Sequence, residues 1–124
     1  MPAHVLAVID HDCPGTEDMH DPLYFCVGLR LQFGGIDLVL RGPAVSSALV
    51  AADGPAPPEG NGARLPNPQR YVRSLVRAGV RVWVDDADLA GLRRDGQVLI
   101  DGVRTADTDA MAARWNEYEE VWFL

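Results

Sequence analysis

Residues 4–21 read HVLAVIDHDCPGTEDMHD. This stretch begins with a short run of β-branched and apolar residues and then turns polar, a pattern typical of a buried strand. Comparable runs follow at IDLVLR (36–41), VRVWV (80–84), QVLI (97–100) and EVWFL (120–124). Segments with helical spacing separate most of these runs, which predicts an α/β domain with a mostly parallel sheet of about five strands.

The helical segments predicted between the strands cover residues 17–33, 43–52, 68–79, 85–94 and 107–115. Asn67 is expected to cap the third helix and Gly79 to end it. Residues 53–68 contain five Pro and three Gly, so we expect a long irregular loop there. With no internal repeat, the chain is expected to be one domain over residues 1–124.

The composition excludes several classes of function. A net charge of −7 argues against a nucleic-acid partner, and no apolar run approaches the ~20 residues that span a membrane. The first residues lack a basic segment, so we expect a cytoplasmic protein with its two cysteines as thiols. All eleven cationic side chains are Arg, which excludes a lysine Schiff base and the lysine-containing phosphate loop. We expect no cofactor.

Several segments together resemble the DsrE/DsrF-like family, which includes the subunits of the TusBCD sulfur-relay complex. The resemblance rests on HVLAVID (4–10), PGT (14–16) before an apolar helix, LVLR with GPAV (38–45), AGV (78–80), RVWV (81–84), ADLAGLRR (87–94) and VWFL (121–124). It implies a three-layer Rossmann-like sandwich that assembles into trimers or hexamers, from identical or homologous subunits. A small molecule or a sulfur carrier would be a further partner.

Catalytic members of that family carry a cysteine at the end of the third strand, where it accepts sulfur as a persulfide. This chain reads VWVDDADL there, so Asp85 stands at the cysteine position. A carboxylate cannot hold sulfane sulfur, because a persulfide forms on a thiolate. The sulfur-carrying activity therefore does not transfer to residue 85.

The loop after the first strand is the other candidate site, since ligands of parallel sheets bind beyond the carboxyl ends of the strands. We predict that His11, Gly15, Thr16 and Asp86 contribute to a ligand-binding edge, provided that the first and third strands are neighbours. Cys13 could be a relocated sulfur carrier, activated by the helix expected from Glu17. The surrounding carboxylates would instead raise its pKa, in which case the thiol is incidental. Cys26 is expected to be a core thiol.

Two alternatives remain open from the residues alone. His11, Asp18 and His20 have side chains suited to a transition metal, although their spacing matches no recognised zinc pattern. Asp85 and Asp86 could act as an acid/base pair, or one of them could simply cap a helix. The chain is thus a sulfur-relay-related protein without the usual cysteine, a metal-binding protein or enzyme, or a non-catalytic ligand-binding oligomer.

Overall fold

The computed structural model of the chain describes residues 4–18, 20–29, 35–51 and 67–124. In chain order the elements are β1 (Val5–Ile9), α1 (Pro22–Leu29), β2 (Ile36–Leu40), a 3₁₀ helix (Gly42–Ala48), β3 (Leu49–Ala51), α2 (Asn67–Arg77), β4 (Val82–Asp85), α3 (Asp86–Leu92), β5 (Gln97–Leu99), β6 (Arg104–Ala106), α4 (Thr108–Ala112), a second 3₁₀ helix (Trp115–Glu117) and β7 (Glu120–Phe123). The predicted loop at 53–68 lies almost entirely outside the described residues.

Five parallel strands form the main sheet in the order β6-β4-β2-β1-β7. Every residue of β1 and β2 is buried, as expected for inner strands covered on both faces. This α/β architecture, with helices on both faces of a parallel sheet of five strands, confirms the predicted fold class.

The fifth strand of that sheet is not the predicted one. Residues 97–100 were expected to join the parallel sheet, but β5 pairs with β3 as a separate antiparallel pair. The main sheet is completed instead by β6, which the apolar pattern did not indicate. The helix predicted over 43–52 is also wrong, because this segment forms a 3₁₀ helix followed by β3.

The two faces of the main sheet are covered unequally. One face packs against α1, α2 and the first 3₁₀ helix, through buried side chains such as Leu23, Val72 and Val45. The opposite face buries Leu6, Val8 and Val39 under the short segment that contains α4 and the second 3₁₀ helix. Among the described residues, no helix is long and apolar enough to cross a membrane.

The first helix begins later than predicted. Helix α1 starts at Pro22, five residues after the expected start at Glu17, and residues 30–33 of the prediction lie outside the described part. Asp21 stands directly before it, and its Oδ1 atom accepts a hydrogen bond of 3.0 Å from the Leu23 amide. A capping Asp followed by Pro in the first turn is a favourable helix start, so the chain stays irregular up to Asp21.

Candidate functional site

The loop between β1 and α1 lies at the carboxyl end of the sheet, beside the residues that follow β2. The Arg41 amide donates a hydrogen bond of 2.9 Å to the Ile9 carbonyl, which continues the pairing of the two strands. Next to it, the Gly42 amide donates to Asp88 Oδ2 at 2.7 Å. The Asp88 carboxylate thereby ties the start of the 3₁₀ helix to α3, the helix that follows β4.

Helix α2 holds the middle of this loop. Asn67 Nδ2 donates to the Gly15 carbonyl at 2.7 Å, and the Tyr71 hydroxyl donates to the Thr16 carbonyl at 3.0 Å. Gly15 has a φ of +78°, and a Cβ atom there would lie 2.9 Å from Pro68 Cδ. Only glycine combines this conformation with so close an approach. Two of the predicted ligand-binding residues, Gly15 and Thr16, thus have their carbonyl groups engaged by α2.

Cys13 is half-buried rather than exposed, although it lies in this loop. Burial raises its pKa to about 11, and the negative charges of Asp21 and Asp12 add to the rise, while a hydrogen bond with Ser47 acts in the opposite direction. The expected effect of neighbouring acids is therefore present, but burial is the larger cause. At neutral pH the side chain is a thiol, which is a weak nucleophile.

Cys26 is 1% exposed and belongs to the core, as predicted. Burial raises its pKa to about 12, with smaller contributions from Cys13 and Asp21. Both cysteines are free thiols. Neither is poised for nucleophilic chemistry at neutral pH.

Asp21 is a residue of this region that the sequence interpretation did not single out. Its side chain is fully buried, and its Oδ2 atom has no hydrogen-bond partner within the described residues. A buried carboxylate oxygen without a hydrogen-bond partner is costly. Asp21 also contributes to the raised pKa values of Cys13 and Cys26. The Asp-Pro pair at a helix start was the signal that could have identified it.

Asp85, at the end of β4, is a structural cap. Its Oδ2 atom accepts a hydrogen bond of 3.0 Å from the Asp88 amide, and its Oδ1 atom accepts bonds from Thr108 Oγ1 at 2.6 Å and the Thr108 amide at 3.2 Å. The Thr108 hydroxyl is the main cause that lowers the pKa of Asp85. The carboxylate joins the starts of α3 and α4, which confirms the capping interpretation. Asp86 is exposed in the first turn of α3.

The two halves of the predicted ligand-binding edge do not lie on neighbouring strands. Strand β2 lies between β1, which precedes the loop, and β4, which precedes Asp85 and Asp86. The condition for a shared edge, namely that the first and third predicted strands are adjacent, is therefore not met.

His11 and His20 come together, but without a metal-binding arrangement. They line a cavity of about 230 Å³ with Pro22, Phe25 and Leu124. The His11 Nε2 atom lies 3.0 Å from the Leu124 carbonyl oxygen, and the Asp18 carboxylate accepts bonds from the Thr16 hydroxyl and the His20 amide. Across the residues described, no group of three His, Cys, Asp or Glu side chains is placed to hold a metal ion.

Comparison with known proteins gives a fold but no sequence family. No protein-family model matches the chain, and no curated protein sequence matches it. Among solved structures, the chain is similar to the ychN protein of E. coli, with a TM-score of 0.72 and 23% sequence identity. The match covers 99% of this chain and 100% of that one. This likeness supports a DsrE-like fold for the chain, and at this identity it shows the fold alone.

Proposed function

We propose that this chain is a sulfur-relay-related protein of DsrE-like fold that does not carry sulfur itself and acts as a ligand-binding subunit of an oligomer. The observation that carries the proposal is that the Asp85 carboxylate caps the starts of two helices. Both of its oxygens accept hydrogen bonds from helix starts, so the position that would hold a persulfide is a structural carboxylate.

The state of Cys13 supports the same conclusion. With a pKa of about 11, raised mainly by burial, this thiol is protonated at neutral pH. Sulfur uptake requires a thiolate to attack a sulfane sulfur while the shorter polysulfide leaves. A cytoplasmic setting, which we include in the proposal, would keep the thiol reduced.

The ligand-binding role is assigned to the carboxyl end of the sheet. Its residues are His11, Gly15 and Thr16 in the loop after β1, and parallel sheets bind ligands at this end. Asp86 follows β4, which β2 separates from β1, so the proposal leaves it out. Gly15 and Thr16 are fixed by α2, which gives the loop a defined shape. The described part of the chain contains no group of three His, Cys, Asp or Glu side chains that would hold a metal ion.

A sulfur-transfer experiment with three proteins tests the non-catalytic role. The wild type, Cys13→Ser and Asp85→Cys are each incubated with sodium tetrasulfide at neutral pH, alkylated and analysed by mass spectrometry. We expect the wild type and Cys13→Ser to remain equally free of added sulfur, and Asp85→Cys to gain it, because a helix start favours a thiolate. Persulfide on Cys13 of the wild type, lost in Cys13→Ser, would refute the proposal.

The oligomer part of the proposal rests on one exposed apolar side chain in an edge strand of the main sheet. Phe123 in edge strand β7 is 64% exposed, and exposed apolar edge strands tend to be covered by a partner. Sedimentation velocity on the wild type should give a trimer or hexamer, as the resemblance implies. Phe123→Glu should dissociate it, whereas Leu92→Glu, a control at another exposed apolar position, should not. A monomeric wild type would contradict this part.

A further inference from the structure

A second cavity lies on the opposite face of the main sheet, away from the acidic loop. It has a volume of about 390 Å³, within the range of small-molecule sites. Arginine and aromatic side chains dominate its lining, which consists of Arg81, Trp83, Arg104, Met111, Arg114, Trp115, Glu117 and Tyr118. Trp83 and Arg104 are register partners on β4 and β6, so their side chains project from the same face.

Three arginines line the cavity, although the whole chain carries a net charge of −7. Two of its three arginines are already paired. Arg81 Nη2 lies 2.6 Å from Asp37 Oδ2, and Arg114 Nε lies 3.0 Å from Glu117 Oε2. Arg104 is exposed, and its side chain has no hydrogen bond or ion pair with any residue in the described ranges. As far as the described residues show, the Arg104 guanidinium is therefore available to bind an anion.

The aromatic side chains that line the cavity are each held in place by a contact with another side chain. The Arg81 guanidinium lies 5.3 Å from the Trp83 ring centroid, and the Arg41 guanidinium lies 5.7 Å from that of Trp115. The Tyr118 hydroxyl donates to Asp37 at 2.7 Å, so it is not available to a ligand. Flat indole and phenol surfaces beside one free guanidinium suit a ligand that is planar and carries one negative charge.

We propose that this cavity binds a small aromatic carboxylate, with the carboxylate on Arg104 and the ring against Trp83 or Trp115. A guanidinium and a carboxylate form two parallel hydrogen bonds, which fixes the orientation of the ligand. A doubly charged ligand is less suitable, because the two other arginines are neutralised by Asp37 and Glu117. The site is separate from the acidic loop and does not depend on the function proposed above.

Isothermal titration calorimetry on the full chain tests the proposal with a matched pair of probes. We expect 1-naphthoate to bind at least about tenfold more tightly than the neutral 1-naphthamide, because a hydrogen-bonded pair of opposite charges increases affinity by about that factor. Arg104→Gln should weaken naphthoate binding about tenfold and leave naphthamide unchanged. The control Arg93→Gln, an exposed arginine that does not line the cavity, should bind like the wild type.

Three results would overturn the proposal. They are no naphthoate binding at millimolar concentration, equal affinity for the two probes, and unchanged naphthoate binding in Arg104→Gln. Inorganic phosphate that binds as tightly as naphthoate would overturn the aromatic part. Arg104→Lys is a second test, because lysine keeps the positive charge but lacks the planar guanidinium that forms two parallel hydrogen bonds. This variant should bind naphthoate with an affinity between those of the wild type and Arg104→Gln.

Discussion

Replacing Asp85 by alanine should destabilise the fold strongly, although its side chain is not fully buried. The change removes the cap of α3, which is worth about 1 kcal/mol. It also removes the acceptor of Thr108, a residue that is 2% exposed, and hydrogen bonds to a charged group contribute about 1.5–3 kcal/mol. We therefore expect the free energy of unfolding to fall by about 3 kcal/mol.

Urea denaturation followed by circular dichroism measures this loss. With a denaturant slope near 2 kcal/mol per molar urea, the midpoint should fall by about 1.5 M. Asp85→Asn keeps one acceptor oxygen, so it can serve α3 or Thr108 but not both, and should lose about half as much. The neighbouring exposed Asp86→Ala is the control and should cost less than about 1 kcal/mol, from the helix dipole alone.

The stabilisation by Asp85 should also depend on pH. Its folded-state pKa is lowered, chiefly by the Thr108 hydroxyl, so the stabilisation is fully present above the unfolded pKa of about 3.9. It is lost as the pH falls through the lower folded-state pKa. The difference between the wild type and Asp85→Asn should therefore be constant near neutral pH and narrow below about pH 4. An Asp85→Ala protein as stable as Asp86→Ala at pH 7 would refute the capping argument.

Three further outcomes follow from the same structure. Iodoacetamide should alkylate Cys13 slowly at pH 7.5 and progressively faster towards its pKa of about 11, and a rate that levels off near pH 8 would contradict the buried thiol. Tyr118→Phe should lower the free energy of unfolding by about 1–2 kcal/mol in urea, because the buried carboxylate it bonds loses a donor, and no change would contradict that bond. Gly102→Ala should destabilise by at least about 1 kcal/mol, since φ there is +93° and the new methyl group would collide with Val76, whereas Gly91→Ala inside α3 should be neutral or stabilising; equal effects would contradict this.

The inner strands were predictable because burial leaves a strong pattern. Strands β1 and β2 are short apolar runs, and every residue in them is buried. Strand β6 has the sequence RTA and joins the sheet edge through its backbone with its side chains largely exposed. No hydrophobic pattern exists there to detect. A strand that is stabilised by backbone pairing alone cannot be predicted from the periodicity of hydrophobic residues.

The error over residues 43–52 has a different cause. Ala44, Val45 and Ala48 are buried at a spacing that suits an α-helix or a 3₁₀ helix equally well. The chain leaves the helix because Leu49–Ala51 pair with Gln97–Leu99, almost fifty residues away. A local pattern cannot encode a partner at that distance, so tertiary pairing overrode the local preference.

At the candidate site, the sequence indicated the residues better than their arrangement. A helix cap at Asp85 or Asp86 was one of the alternatives that the sequence left open, and in the structure Asp85 is the cap. The start of α1 was misplaced because Glu17 and Asp18 resemble an acidic first turn, while the Asp21-Pro22 pair carries the actual cap. The raised pKa of Cys13 depends mainly on burial, which no count of neighbouring charges reveals.

The carboxylate at the end of β4 limits the chemistry available at this end of the sheet. Thiolates and carboxylates are both anions that suit a helix start, but only a thiolate can take up sulfane sulfur, so Asp85 caps α3 and carries no sulfur. Cys13, the thiol in the loop after β1, is a weak sulfur acceptor, because a pKa of about 11 leaves roughly one thiolate in a few thousand molecules at pH 7.5. Sulfur chemistry would therefore need a large fall in the pKa of Cys13, and the buried charge of Asp21 opposes that fall. At the same end of the sheet the loop is held by α2 and the starts of α3 and α4 are held by Asp85, and the ligand-binding role proposed above relies on this fixed arrangement.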